Sequence, residues 1–376
     1  MSSLDHVTEA QYKQLAIAPK VSGIISLFAS IVLIRDVLSS KKKRSNTYSR
    51  IMLGMTIIDI LVSIAFILST WAIPIDGVDT DIQAPYRSGN TSTCIIQGIL
   101  VQLAIASNIY NLCLAIYFFL SVRTRCLEEE MKKYEKMMHL AALTFGFGTA
   151  IAGIPLKLYN SAGPWCWISS LPHSCGLTKK SDPSTCIRGK YAYAYRYAFF
   201  YFPLWIIILA ITVIMITMAC HVRKVEKQTV RYSFSVETRN SLTSKVARQA
   251  FFYVIALYLT WGPGSVGRLL ETFNVQTSFL GLLLATFLAP LQGFFNCLIY
   301  FMPKNNGIFC KSCTFGKLMS TFSTHECDSD IDLMDPALML RKQKEENNSQ
   351  NDDDSDEQMH TALLDKSERQ VQTVNA

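Results

Sequence analysis

Four stretches of this chain carry no Asp, Glu, Lys or Arg over lengths that would cross a bilayer: Cys94–Val122, Tyr197–Cys220, Gln249–Gly267 and Thr272–Pro303. About 20 apolar residues suffice for a spanning helix. Three more stretches are nearly as clean. Leu15–Leu33 carries Lys20, Ile51–Ile73 carries Asp59, and His139–Leu156 ends at Lys157. By length alone, 376 residues would allow two or three soluble domains. Only 17% are charged, however, against about a quarter in ordinary soluble domains. The fold class expected is therefore an all-α membrane protein, a bundle of seven transmembrane helices over 15–303.

Orientation follows from Lys and Arg in the short loops. The first loop has Lys41, Lys42, Lys43, Arg44 and Arg50; the third has Arg123, Arg125, Lys132, Lys133 and Lys136. The fifth has Arg223, Lys224, Lys227, Arg231, Arg239, Lys245 and Arg248. The second offers only Arg87 among Asp76, Asp79 and Asp81, and the sixth is short and nearly uncharged. The N-terminus (1–14) is thus expected outside and the C-terminus in the cytoplasm. The fourth loop, with Lys179, Lys180, Arg188 and Lys190, opposes the rule and becomes a candidate for function. The polar start "MSSLDHVTEAQYKQ" has no apolar region, so no cleaved signal peptide is expected. The net charge of +7 is mostly this topology signal, and a nucleic-acid role is not indicated.

In this topology Cys94, Cys166, Cys175 and Cys186 lie outside, where disulfides survive. A Cys94–Cys166 bridge would pin the fourth loop over the third helix and leave Cys175 and Cys186 as a second pair. Four cysteines allow three pairings, and the sequence does not choose. In "GPWCWI" Gly163 and Pro164 mark a turn. Trp165 and Trp167 are expected at the headgroup level, where Trp rings concentrate, with a ligand-lining role as the alternative. Asn90-Thr91-Ser92 is a glycosylation sequon on the same face.

Within the spans Asp59 is the one acid deep in apolar sequence. A lone carboxylate in lipid is costly and should face the bundle interior. Asn296 or a neighbouring polar group on the seventh span is its expected partner, with Tyr300 four residues beyond Asn296 along the same face. Pro263 between Gly262 and Gly264 is an expected kink beside Trp261, because proline weakens the helix ladder. After Pro303, apolar residues alternate with lysines over 304–322, which fits a short amphipathic helix in the inner interface. Cys310 and Cys313 there are candidates for palmitoylation. The acidic tail, 323–376, is expected to be disordered.

Enzyme signatures are missing: there is no GxxxxGK[ST] and no HExxH, and the six His do not cluster. No cofactor or metal is expected. No Lys lies between Ser278 and Phe301, which excludes a retinal Schiff base on the last helix.

"GPWCWI", "YRYAFFYFPLWI" (195–206), "YNLCLAIYFFL" (110–120), "YEKMMHL" (134–140) and "LQGFFNCLIYF" (291–301) together resemble the slime-mould cyclic-AMP receptor family of seven-transmembrane G-protein-coupled receptors. The resemblance covers about 15–305. It implies a plasma-membrane receptor that couples a heterotrimeric G protein through Arg123, Arg125, Lys245 and Arg248, with arrestin and kinases as tail partners. The rhodopsin-type D-R-Y is replaced by "LSVRTRC", and Cys297 stands where N-P-x-x-Y would have Pro. A cyclic nucleotide carries phosphate charge and needs Arg or Lys. Lys157, Arg196 and Arg268, at the outer helix ends, are the candidates. Tyr191, Tyr193, Tyr195 and Tyr197 offer stacking surface. The alternative class is a transporter or channel, which would show repeats or several intramembrane charges.

Overall fold

The computed structural model describes residues 7–75, 84–124, 128–172, 175, 186–232, 237–273 and 275–302. The first span is α1 (Glu9–Ser39), begun by a capping box in which Thr8 and Gln11 satisfy each other's backbone N–H. A short α2 (Lys41–Ser45) leads to α3 (Thr47–Leu68), the second span, capped by Asn46. The third span is α4 (Thr91–Gln102) and α5 (Ala104–Phe119), which end in a π-helical turn at Leu120–Thr124.

The fourth span lies in α6 (Glu128–Ala152), whose charged first turns precede it. Its apolar run was expected to continue to Leu156, but the helix stops at Ala152. Pro155 lacks an N–H to continue the ladder, and Lys157 takes a left-handed φ of 53°. Then come a hairpin, β1 (Tyr159–Ser161) and β2 (Cys166–Ile168), a short α7 (Ala192–Arg196), and α8 (Phe202–Tyr232), the fifth span. The sixth span lies in α9 (Glu237–Thr272), which passes through Pro263 as one helix. The seventh is α10 (Phe279–Leu288) and α11 (Gln292–Phe301), joined by a 3-10 turn at Ala289–Leu291.

Six of the seven units are long and apolar enough to cross a membrane by length and composition. The exception is α6, whose first turns hold Glu128, Lys132, Lys133, Glu135 and Lys136. The units form a seven-helix bundle. The third span sits at its centre: 72% of its most apolar window is buried, against 33% for the fifth. It packs on the second, fourth, fifth and sixth, while α1 packs on α3, α10 and α11. Large apolar side chains such as Phe28, Leu140, Leu209 and Ile216 point outward, as expected where the solvent is lipid.

The hairpin pairs Tyr159 with Ile168, Asn160 with Trp167 and Ser161 with Cys166. Its turn needs Gly163, whose φ of 108° a side chain would oppose. The Tyr159 ring is wedged against glycines of α4 and of the turn that follows α6. A Cβ on Gly153 would lie 2.6 Å from the Tyr159 ring, and one on Gly98 would also collide with it. The Tyr159 hydroxyl donates to the Ala150 carbonyl at 2.6 Å.

Candidate functional site

The hairpin is a plug bolted into one end of the bundle. A disulfide joins Cys94 on α4 to Cys166 on β2, with Cα atoms 5.2 Å apart. A second joins Cys175 to Cys186. One turn along from Cys94, the buried Gln97 accepts from the Cys166 N–H at 2.7 Å. Its Nε2 donates to the carbonyls of Ala65 and Ser69 at 2.9 and 2.8 Å. Tyr12 of α1 donates to Gly163 O at 3.0 Å, and Ser69 Oγ bonds Pro164 O at 3.1 Å. Three spans thus hold the turn, and Cys166 is held twice.

Of the two tryptophans, one is buried in the bundle and the other half-buried. Trp167 is buried inside the bundle, its Nε1 donating to Gln102 Oε1 at 3.0 Å and its ring meeting Phe200 and Tyr201 edge-on. Gln102 in turn donates to Phe199 O and Thr149 Oγ1 at 3.1 and 3.2 Å. Trp165 is half-buried with its ring edge-on to Phe66 at 4.9 Å. On β2 the Trp167 ring faces away from its neighbours Cys166 and Ile168, into the cleft beside the fifth span.

Two of the three candidate cations converge beside this plug. Arg196 is 3% exposed and donates from Nε to Ile168 O at 2.9 Å. Arg268, on α9, donates to Glu271 Oε2 at 2.6 Å and to the Tyr201 hydroxyl at 3.3 Å. Arg196, Arg268 and Glu271 interact electrostatically. Tyr197 Oη closes the cluster on Arg268 O at 3.1 Å and Thr272 Oγ1 at 2.6 Å. Lys157 is exposed in the left-handed turn after α6, and no contact between it and the two arginines is found among the described residues. Of the tyrosines, the Tyr193 ring lies tilted against Tyr197 at 4.9 Å and Tyr195 tilted against Phe199 at 5.2 Å, while Tyr191 is exposed. Arg188 donates to Asn160 Oδ1 at 2.9 Å, and Lys190 lies over the Tyr191 ring at 5.6 Å. Lys179 and Lys180 lie outside the described residues.

In mid-bundle Asp59 accepts from Asn296 Nδ2 at 2.8 Å and from Ser107 Oγ at 2.6 Å. Gln292 donates to Asn296 Oδ1 at 3.2 Å and accepts from Thr260 at 2.7 Å, so four spans share the network. A cavity of about 10 Å³ touches Asp59, Ser107, Gln292 and Trp261, room for no more than one water. The Trp261 Nε1 has no partner among the described residues. Tyr300 is not part of this network. One helical turn beyond Asn296, it donates to Asp36 of α1 at 2.9 Å, and Asp36 is held by Lys43 at 3.0 Å.

The end opposite the disulfides is basic and tied across spans. Tyr48 meets the Tyr253 hydroxyl at 3.0 Å, accepts from Gln249 at 3.0 Å, and stacks on Tyr300. Arg50 grips Glu135 with Nε and Nη2 at 2.6 and 2.5 Å. Burial alone would raise the Glu135 pKa, but these bonds outweigh it and hold the carboxyl below its usual range. Arg123 and Arg248 are exposed, Arg123 lying 5.9 Å from the Phe119 ring. Arg125, Cys310, Cys313 and the expected helix and tail over 304–376 lie outside the described residues, as does the side chain of Lys245. Asn90 is exposed at the disulfide end, its Oδ1 capping α4 through the Thr93 N–H.

Residues 57–358, more than half of the chain, match the model of the slime mold cyclic AMP receptor. The chain belongs to the slime mold cyclic AMP receptor family. It is 27% identical over 220 residues to cyclic AMP receptor-like protein A of Dictyostelium discoideum, which covers 57% of this chain. The chain spans about half the length of that relative, 49%. The crystal structure of squid rhodopsin superposes with a TM-score of 0.57 over 89% of this chain and 93% of that one, at 15% identity. Family and fold together make this a multi-pass membrane protein with a rhodopsin-like helical bundle.

Several anchors were not singled out from sequence. Gln97 and Gln102 had a readable signal, since an amide inside an uncharged span needs a partner. Glu271 stood one turn from Arg268, at pairing distance on a helix. Ser107, Asp36 and the Arg50–Glu135 pair carried no such mark.

Proposed function

We propose that this chain is a plasma-membrane receptor that binds a small anionic ligand of the cyclic-nucleotide class at its disulfide end and activates a heterotrimeric G protein at its basic end. The observation that carries the reading is the meeting of Arg196 and Arg268 beside a disulfide-anchored plug. Two guanidinium groups in a largely desolvated site favour a phosphate oxygen far more than they would in water. The tyrosines of the fifth-span entry offer aromatic faces and edges for a base. In this reading the disulfide end and the N-terminus face outward, and the C-terminus lies in the cytoplasm.

Arg123 and Arg248, with Arg125 and Lys245, are the cations for the G protein. Arrestin and kinases are the partners proposed for the tail, and Asn90 is the glycosylation site. No catalytic step is assigned.

The test is saturable binding of labelled cyclic AMP to membranes that carry the full chain. Arg268→Ala should remove the binding with surface display unchanged. Because Arg196 also braces Ile168, Arg196→Lys is the better probe there: the charge stays while the two-pronged geometry goes. Ligand-dependent nucleotide exchange on a Gα subunit should accompany binding. Ligand-dependent flux without exchange would mean a transporter instead.

A further inference from the structure

Buried carboxamides in this bundle are mostly bonded across spans. Gln97 reaches Ala65 O, Gln102 reaches Phe199 O, Gln249 reaches Tyr48, Gln292 reaches Thr260, and Asn296 reaches Asp59. Asn108 and Asn111 of α5 are different. They are 0% and 3% exposed, yet neither the oxygen nor the nitrogen of either amide has a partner among the described residues. Three residues apart, they are neighbours on one face of the helix. A buried polar group without a partner keeps its full desolvation penalty, so two in succession need a physical reason.

Asn111 lines a cavity of about 10 Å³ at the seam where the third, fifth and sixth spans meet. Ile211 and Met215 face it from the fifth span, and Ala250, Tyr253 and Val254 from the sixth. Of these only Tyr253 is polar, and its hydroxyl is turned to Tyr48 at 3.0 Å and to Met52 Sδ at 3.4 Å. The sixth span therefore brings no side-chain partner to Asn111.

We infer that Asn108 and Asn111 form a water site at this seam, which keeps the contact of the third span with the fifth and sixth weak enough to part. The cavity has room for about one water, and a buried water needs two to four polar partners. The two amides supply donors and acceptors alike. No acid lines the cavity among the described residues, so a cation is not favoured there. Each carboxamide can make about four hydrogen bonds, more than a single water supplies. Parting the spans would admit further water, so the open seam gains bonds that the closed one lacks. A leucine at either position would gain no such bonds on opening.

The test reads the water directly. The full chain in a lipid nanodisc is exposed to hydroxyl radicals made from water by a short X-ray pulse, and methionine oxidation is followed by mass spectrometry. Met215 lines the cavity and is the reporter; Met55, fully buried in the second span, is the control. In wild type Met215 should oxidise several-fold faster than Met55. Asn111→Leu, close to the amide in shape, should slow Met215 several-fold and leave Met55 unchanged. Should that variant fail to fold, Asn111→Ser gives the converse reading: it keeps a polar group and adds room, so Met215 should oxidise faster than in wild type. A Met215 rate that ignores the substitution, or that equals the Met55 rate in wild type, overturns the water site.

The weakness of the contact is read separately. Asn111→Leu should raise the thermal midpoint of the purified chain by a few degrees, and a midpoint unchanged or lowered overturns that part. A further readout rests on the receptor reading: the same variant should lower ligand-independent nucleotide exchange on a Gα subunit several-fold. If wild type drives no exchange, the receptor reading fails on its own, and oxidation and unfolding still decide the seam.

Discussion

Replacing Gln97 with Leu should couple strongly to the disulfide one turn away. Cys166 is gripped by its sulfur from Cys94 and by its N–H from Gln97. Leu keeps most of the volume but strands the Cys166 N–H and removes the donor to Ala65 O and Ser69 O. A buried polar group left without its partner costs about 1–3 kcal/mol. The disulfide closes a span of 72 residues, worth about 4 kcal/mol in the chain-entropy account. Here that is an upper bound, because helices fixed in a bilayer already hold the ends near each other.

With the disulfide removed (Cys94→Ala and Cys166→Ala together), the hairpin can lift. The stranded N–H then reaches water. The combined variant should therefore lose less than the sum of the separate losses, by roughly 0.5–3 kcal/mol. The assay is thermal or denaturant unfolding of the purified full chain in detergent, followed by tryptophan fluorescence. Losses that add to within about 0.5 kcal/mol would refute the idea that Gln97 and the disulfide hold one mobile unit.

Three other expectations are open to direct measurement. Gly98→Ala should destabilise the chain by about 1–3 kcal/mol through overpacking against Tyr159, and Tyr159→Leu should recover part of it; unfolding of the two variants and their combination checks this. Glu135 is held below the usual carboxylate range by Arg50. Its contribution should thus be fully present above its unfolded pKa of about 4.3 and fade as pH falls through the lower native value. Unfolding across that window should show the slope, and Glu135→Gln should flatten it. Gln249→Leu removes the sixth-span donor to Tyr48, so it should loosen the basic end and raise ligand-independent nucleotide exchange on a Gα subunit. Exchange at the wild-type level would show that the clasp does not restrain that end.

The sequence by itself determined the membrane, the helices and much of the polar accounting. Uncharged runs beyond bilayer length have few folded forms open to them, which is why seven spans could be read without coordinates. A single carboxylate among apolar residues demands a donor, so Asp59 could be matched to Asn296 across the chain. Tertiary structure alone decided which way side chains point once a short strand replaces a helix or loop. Trp167 turns into the bundle because Gln102 on the third span and Phe200 at the fifth-span entry receive it there, while the composition around it reads only as an aromatic cluster. It also decided which cations meet. Arg196 and Arg268 converge because α7 and the end of α9 flank one plug, whereas Lys157 is turned outward by a left-handed residue after Pro155. Tyr300 follows the same rule: its spacing put it beside Asn296, but one further turn of helix carries it past Asp59 to Asp36 on the first span. Spacing along a helix specifies a face; which neighbour waits there depends on packing between segments far apart in sequence.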